Sequence, residues 1–185
     1  MSELMTREDA LALVEANVKN RNLRKHMLAS EAVMRALALR LGADQELWGL
    51  TGLVHDVDYD QTANEPARHA LLGAEILTGK GLPSDLVHAV KAHAEKAPVE
   101  STLDRAMVAA DPLTGFLVSC ALIRPEKKLA IVDVQFVKNR MAEKQFSRAV
   151  SREQIQSCTE LGLTLEEFVG IALEAMKTIS AELGL

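Results

Sequence analysis

Apolar residues recur along this chain at intervals of three and four, the spacing that gives a helix one buried face. The clearest stripe lies near the carboxy end, where Leu165, Phe168, Val169, Ala172, Met176, Ile179 and Leu183 fall on one side of a single predicted helix. Alternation of β-branched residues, which would mark strands, is confined to the short run 129–134. The fold class is therefore read as all-α. A first helix is expected from near Thr6, with Asp9 three residues on as in a capping box, to about residue 19. A second covers about 22–41 and stops at Gly42. The third, about 44–56, is apolar on almost every side through Leu-Trp-Gly-Leu-Thr-Gly-Leu-Val, as suits a helix at the centre of a bundle. An acidic loop over 57–64 is expected next, then helices over about 65–78, 84–96 and 102–121, punctuated by Gly79, Gly81, Pro83 and Pro98. Ser151 with Gln154, and Thr164 with Glu167, have the capping-box spacing of two further helix starts.

At 185 residues the chain is long enough for one domain, 1–185, with its chemistry in about 22–120 and supporting helices in about 126–185. Aromatics make up only 3%, so the core must be aliphatic. Beyond Pro125 no histidine occurs and Lys127, Lys128, Lys138, Arg140, Lys144, Arg148 and Arg152 cluster. The whole chain still carries a formal charge of −5, which argues against a nucleic-acid polymer or an anionic membrane as partner. Cys120 and Cys158 lack metal-binding spacing and read as small core residues. The opening Met-Ser-Glu-Leu-Met-Thr-Arg-Glu has neither the basic flank nor the apolar run of a secretory leader, and no stretch approaches the roughly 18 uninterrupted apolar residues of a membrane span. A cytoplasmic location is expected. The sequence leaves open an oligomer of identical chains.

All five histidines lie between positions 26 and 93. His26 falls beside the stripe Leu23, Met27, Met34 and Leu41; His69 shares a helical face with Leu72, Gly73 and Ile76; His93 shares one with Leu86, Val90 and Ala97. Asp111 falls in a row with Leu103, Met107, Thr114 and Val118, where an unpaired carboxylate would be costly. His88 is expected on a solvated face with Ser84, Lys91 and Glu95 and is left out of any site. Each inward residue alone has an ordinary explanation: a hydrogen-bonded core histidine, or Asp111 as an N-cap before Pro112. Together they would need many separate hydrogen-bond solutions, and one or two shared cations supply a common one. Imidazole and carboxylate donors without thiolate suit a divalent transition metal, Fe, Mn, Co, Ni or Zn.

The ordered series His26, then Gly52-Leu-Val-His55-Asp56, then Ala109-Ala-Asp111-Pro-Leu-Thr114-Gly115 resembles the HD superfamily over about residues 22–120. The resemblance implies a compact helical bundle with extra carboxy-terminal helices, in which His26, His55, Asp56 and Asp111 ligate a metal and His55 and Asp56 form the catalytic centre. Arg68-His69-Ala-Leu-Leu-Gly73-Ala-Glu75-Ile-Leu77 is similar to the added histidine segment of binuclear members, and Lys91-Ala-His93-Ala-Glu95 to their next histidine motif. On that likeness Asp56 bridges two ions, with His69 and His93 on the second. The implied activity is metal-dependent phosphohydrolysis of a nucleotide or other small phosphate ester, with Lys25, Arg68, Lys91 and Lys96 expected to hold the remaining phosphate charge. Two alternatives stand beside it: a di-iron oxygenase on the same scaffold, and a non-catalytic helical module that binds a nucleotide or a partner. Where many members follow His-Asp with an apolar residue, glycine and lysine, this chain has Val57, Asp58 and Tyr59. The run His55-Asp-Val-Asp-Tyr-Asp60 resembles a bacterial branch of HD hydrolases and leaves the substrate open. Asp58 itself is read as a solvated loop acid in preference to a residue that orients a ligand histidine.

Overall fold

Caps written in the sequence set the helix starts. A computed structural model describes residues 4–185, so the first three residues of the opening segment weighed above lie outside the described residues. Thr6 accepts a hydrogen bond from the Asp9 amide and begins α1 (Arg7–Asn17). Asn20 accepts from the amides of Asn22 and Leu23 at the start of α2 (Arg21–Leu41), which ends on Gly42 at φ 69°. That left-handed conformation is easy only for glycine. Asp44 caps α3 (Gln45–Val54) in the same way, and a reciprocal capping box between Ser101 and Asp104 opens α7 (Thr102–Leu122). Between them lie α4 (Tyr59–Thr62), α5 (Leu71–Gly79) and α6 (Ser84–His93). After α7 come a 3-10 turn (Leu129–Ile131), α8 (Val134–Ala142), α9 (Arg152–Gln156), a second 3-10 turn (Ser157–Leu161), α10 (Leu165–Thr178) and α11 (Ser180–Leu183). Ser151 and Thr164 cap α9 and α10 as their spacing predicts. The described residues form no β-strand, and the chain is all-α.

The departures from expectation have local causes. The helix predicted from residue 65 begins six residues later, because Pro66 and a left-handed Ala70 (φ 63°) keep the intervening chain in turns. The predicted acidic loop is in part α4, and Val57, Asp58 and Thr62 within it are buried. The 129–134 run forms a 3-10 turn followed by the start of α8. The final stripe breaks at Ile179 into α10 and α11. Asp111 is no N-cap: α7 runs through it without interruption, and Pro112 sits in the helix interior, where it cannot donate the usual backbone hydrogen bond.

The buried residues form two apolar clusters. One gathers α7 and α10 with Val33, Met34 and Leu37 of α2 and Leu129, Val137 and Cys158 of the carboxy-terminal part. The other gathers Leu13 and Val14 of α1, Met27 of α2, Leu50, Leu53 and Val54 of α3, Leu77 of α5, and Leu86 and Val90 of α6. Helices α2 and α3 pass so closely that a Cβ on Gly52 would stand 2.5 Å from the Ser30 carbonyl oxygen. Glycine at 52 is thus what lets the end of α3 reach the middle of α2. Helix α7 is long and apolar enough, by length and composition, to cross a membrane, and in this fold most of it is buried between other elements. Three arginines serve packing: Arg124, and Arg140 and Arg152 of the basic region, stack over Phe136, Phe146 or Phe116. Arg152 also donates to the carbonyls of Ser147, Val150, Glu143 and Phe146, tying down the loop before α9. Cys120 and Cys158 are free and buried.

Candidate metal centre

The two clusters leave a polar seam between them. His26 comes from the first turns of α2, His55 and Asp56 from the end of α3, His69 from the turn before α5, His93 from the last residue of α6, and Asp111 from the middle of α7. His55 is fully buried, while the Asp111 side chain is 30% exposed and that of His26 21%. The group therefore opens to solvent along its His26 and Asp111 edge.

Tautomers follow from the outer partners. His55 Nδ1 is 2.8 Å from the Gly52 carbonyl, and His93 Nδ1 faces the Val90 carbonyl at hydrogen-bond distance. A carbonyl only accepts, so each Nδ1 carries the proton. His69 Nδ1 is 3.1 Å from Asp58 Oδ1, a carboxylate, with the same consequence. His26 Nδ1 lies 2.9 Å from Thr114 Oγ1, which donates its own proton to the Asp111 carbonyl at 2.9 Å and so accepts from the imidazole. All four rings are thereby set with the Nε2 lone pair aimed inward, as metal-binding histidines require.

Those Nε2 atoms converge on two carboxylates. Asp111 Oδ1 is 2.9 Å from His26 Nε2 and 3.6 Å from His55 Nε2, and the two nitrogens are 3.1 Å apart. Asp56 Oδ2 is 3.4 Å from His55 Nε2 and 3.7 Å from His26 Nε2. Its other oxygen, Oδ1, is 3.5 Å from His69 Nε2 and 3.4 Å from His93 Nε2. Donors held about 2.0–2.2 Å from one ion lie about 2.8–3.6 Å apart along the edges of an octahedron or tetrahedron. Most of these separations fall on such edges, and the residues present fit a divalent ion. Two groups are tight enough to hold one, His26 with His55 and Asp111, and His55 with Asp56 and His93; His69 stands on the outer side of Asp56.

Electrostatics point the same way. Burial alone would push the His55 pKa down, but the charges of Asp56 and Asp111 outweigh it and hold the imidazole well above its ordinary value. Burial would raise Asp56 and Asp111; their histidine partners hold both well below the usual carboxylate range. His69 is likewise raised, against its burial, by Asp58 and Asp56. Ionised carboxylates among proton-hungry imidazoles make a pocket short of positive charge, and a cation satisfies it by displacing protons.

A model of the HD domain family matches residues 23–115, half the chain, and these include every one of the six donors. The chain belongs to the HD domain family. Among similar curated proteins, this HD domain is 30% identical over 96 residues to Ribonuclease Y of Oleidesulfovibrio alaskensis, and 32% identical over 96 residues to Ribonuclease Y of Nitratidesulfovibrio vulgaris. Each alignment takes in 52% of this chain and 18% of the relative, so the chain spans less than a fifth of the length of the relatives it matches. No solved structure gives a significant match.

Around the donors the HD domain forms an open cleft of about 690 Å³, walled also by Leu23, Tyr59, Pro66, Lys96 and Gln154. Lys96 lines it beside the exposed acid Glu95. Lys25 lines a neighbouring cavity on the far side of His26 and donates to the Leu183 carbonyl at 2.8 Å. Arg68 is exposed and paired with Glu65 at 2.9 Å, and neither it nor Lys91 of α6 lines the cleft. His88 stands outside the donor group as expected. Its surroundings are not the expected solvated face: Nδ1 is 3.1 Å from the buried Asp104. Gln154 escaped the sequence reading, and for Asp58 the reading preferred there is overturned. Gln154 reaches the cleft from α9, and Asp58 is a fully buried acid rather than a solvated one.

Proposed function

We propose that this HD domain is a metal-dependent phosphohydrolase that cleaves a nucleotide or another small phosphate ester in the cytoplasm, and that residues 1–185 act as one domain. The observation that supports the reading is the set of four histidines whose outer hydrogen bonds turn every Nε2 toward the same two carboxylates. His26, His55, Asp56 and Asp111 would hold one ion, and His69 and His93 with Asp56 a second. When bound, a divalent ion of Fe, Mn, Co, Ni or Zn supplies an acidified water and a counter-charge for phosphoryl oxygens. The chain's own residues do the rest. Asp56 and His55, at the buried end of α3, fix the centre; Lys96, which lines the cleft, offers a cation to the remaining phosphate charge; Lys25 does so from the adjoining cavity. Arg68 and Lys91 reach a substrate only if it extends beyond the cleft. The cleft volume is in the range that takes a small ligand. The relatives' name makes an RNA phosphodiester one substrate to include, and the net charge of −5 disfavours a long polyanion.

The test is elemental analysis of purified protein, followed by phosphate release from a panel of nucleotides, phosphate monoesters and short RNA with each metal. Chelator-sensitive turnover that falls at least about 100-fold in His55→Ala and Asp56→Ala is expected. Turnover retained in both variants refutes the reading. The histidine-rich donor set also favours one second reading, a di-iron oxygenase; iron-dependent oxygen uptake without phosphate release would establish that instead. Ligand binding indifferent to chelation would mark a non-catalytic module.

A further inference from the structure

Among the outer partners of the four histidines, Asp58 is the one carboxylate. His55 and His93 are oriented by carbonyls three residues back in their own helices, and His26 by the Thr114 hydroxyl. His69 has no such helix, since it lies in the turn ahead of α5. Its partner comes from eleven residues away. Asp58 is fully buried, and both its oxygens are engaged: Oδ1 accepts from His69 Nδ1 at 3.1 Å, and Oδ2 accepts from the amides of Ala70 at 2.8 Å and Gly73 at 3.0 Å. Two further features fit this carboxylate. Ala70 holds a left-handed φ of 63°, rare for a residue with a Cβ, at the position whose amide Asp58 accepts. A Cβ at Gly73 would stand 3.3 Å from the Asp58 carboxyl carbon.

We propose that Asp58 is the positioning residue of the outer ion seat: it fixes the proton of His69 on Nδ1 and so decides whether His69, and with it the second ion, binds. This rests on the two-ion reading above. Asp58 does not touch that ion. It acts through the imidazole, by tautomer, by orientation, and by the added basicity a carboxylate partner gives a ligand histidine.

The decisive variant is Asp58→Asn, which has nearly the same shape. The asparagine oxygen can still accept from Ala70 and Gly73, which leaves its NH2 group facing His69 Nδ1. A donor there requires Nδ1 to accept, so the proton moves to Nε2 and removes the lone pair that faces Asp56. Calorimetric titration of ion-free protein should give two ions for the wild type. In the variant the second should bind about 10- to 100-fold more weakly, the first should bind unchanged, and the melting temperature should shift little. Long-range proton–nitrogen NMR at alkaline pH reads the tautomer without metal: His69 should be protonated on Nδ1 in the wild type and on Nε2 in the variant. Two ions in wild type and variant alike, with equal affinities, overturn the role of Asp58 and leave the two-ion reading standing. A wild type that binds one ion or none overturns both. Should the variant fail to fold, the wild-type spectrum still decides, because a His69 proton found on Nε2 contradicts the proposal.

Discussion

Adding one methyl group to either of two helical glycines should change stability in opposite directions. In Gly52→Ala the new Cβ would stand 2.5 Å from the Ser30 oxygen, 2.7 Å from its carbonyl carbon and 2.9 Å from the Glu31 nitrogen. Ordinary contact begins near 3.4 Å, so α2 and α3 must part by about 0.9 Å. Every atom it meets is backbone, and no rotamer change relieves the clash. We place the cost at the top of the overpacking range, about 3 kcal/mol, and alanine's helical preference over glycine returns about 1 kcal/mol of it. A net loss of about 2 kcal/mol lowers Tm by about 4–8 °C in a chain of this size. Parting the helices also separates His26 from His55, whose Nε2 atoms are 3.1 Å apart, so metal affinity should fall with stability. Gly115→Ala is the control. It is interior to α7, its Cβ would meet nothing within 4 Å, and it should raise Tm by about 2–4 °C through the same helical preference. Scanning calorimetry with metal titration checks both. A Gly52→Ala protein that melts at or above the wild type, with undiminished metal affinity, would refute the close-packing argument for the seam.

Two further outcomes follow from the electrostatics and the caps. Protein stripped with a chelator should regain stability as a fitting divalent metal is added, by about 2.7 kcal/mol when free ion is 100-fold above Kd, which is about 5–11 °C in Tm; a melting temperature indifferent to Mn, Co, Ni, Zn and Fe would count against the centre. Burial raises the Asp104 pKa, but the amides of Ser101 and Glu100 and the ring of His88 outweigh it and hold the carboxyl below its ordinary value. Asp104→Ala should therefore cost about 1–3 kcal/mol at neutral pH. That deficit should shrink as pH falls below the ordinary carboxylate value and through the lower folded value, where the wild type too loses the charge; urea melts across that range measure it, and a deficit that grows toward acid would contradict the assignment.

The helix order and most of the candidate metal donors were legible because both depend on local information. Capping side chains at Thr6, Ser151 and Thr164 act within three residues, and the near-uniform apolarity of α3 declares a central helix in any context. His26, His55, Asp56 and Asp111 could be picked out because apolar stretches do not tolerate such groups without partners. What could not be read was set by contacts distant in sequence. The late start of α5 depends on a left-handed Ala70, which the periodicity of Leu71 to Leu77 does nothing to reveal. Asp58 was misjudged for the same reason, since its partners His69, Ala70 and Gly73 lie eleven to fifteen residues on. Pro112 misled in the other direction: its sequence signal is that of a helix start, yet the packing of α7 against α2 and α6 carries the helix through it.

The seam between the two apolar clusters gives this protein a built-in gauge of its own cohesion. His55 and His93 end helices that lie mainly in one cluster while giving Trp48 and Ala89 to the other, Asp111 stands on α7 of that other cluster, and His26 on α2, which contributes to both. A donor set divided in this way exists only while the halves stay in register. In a protein that holds its ions as proposed, any substitution, solvent or bound protein that lets them drift should lower ion affinity.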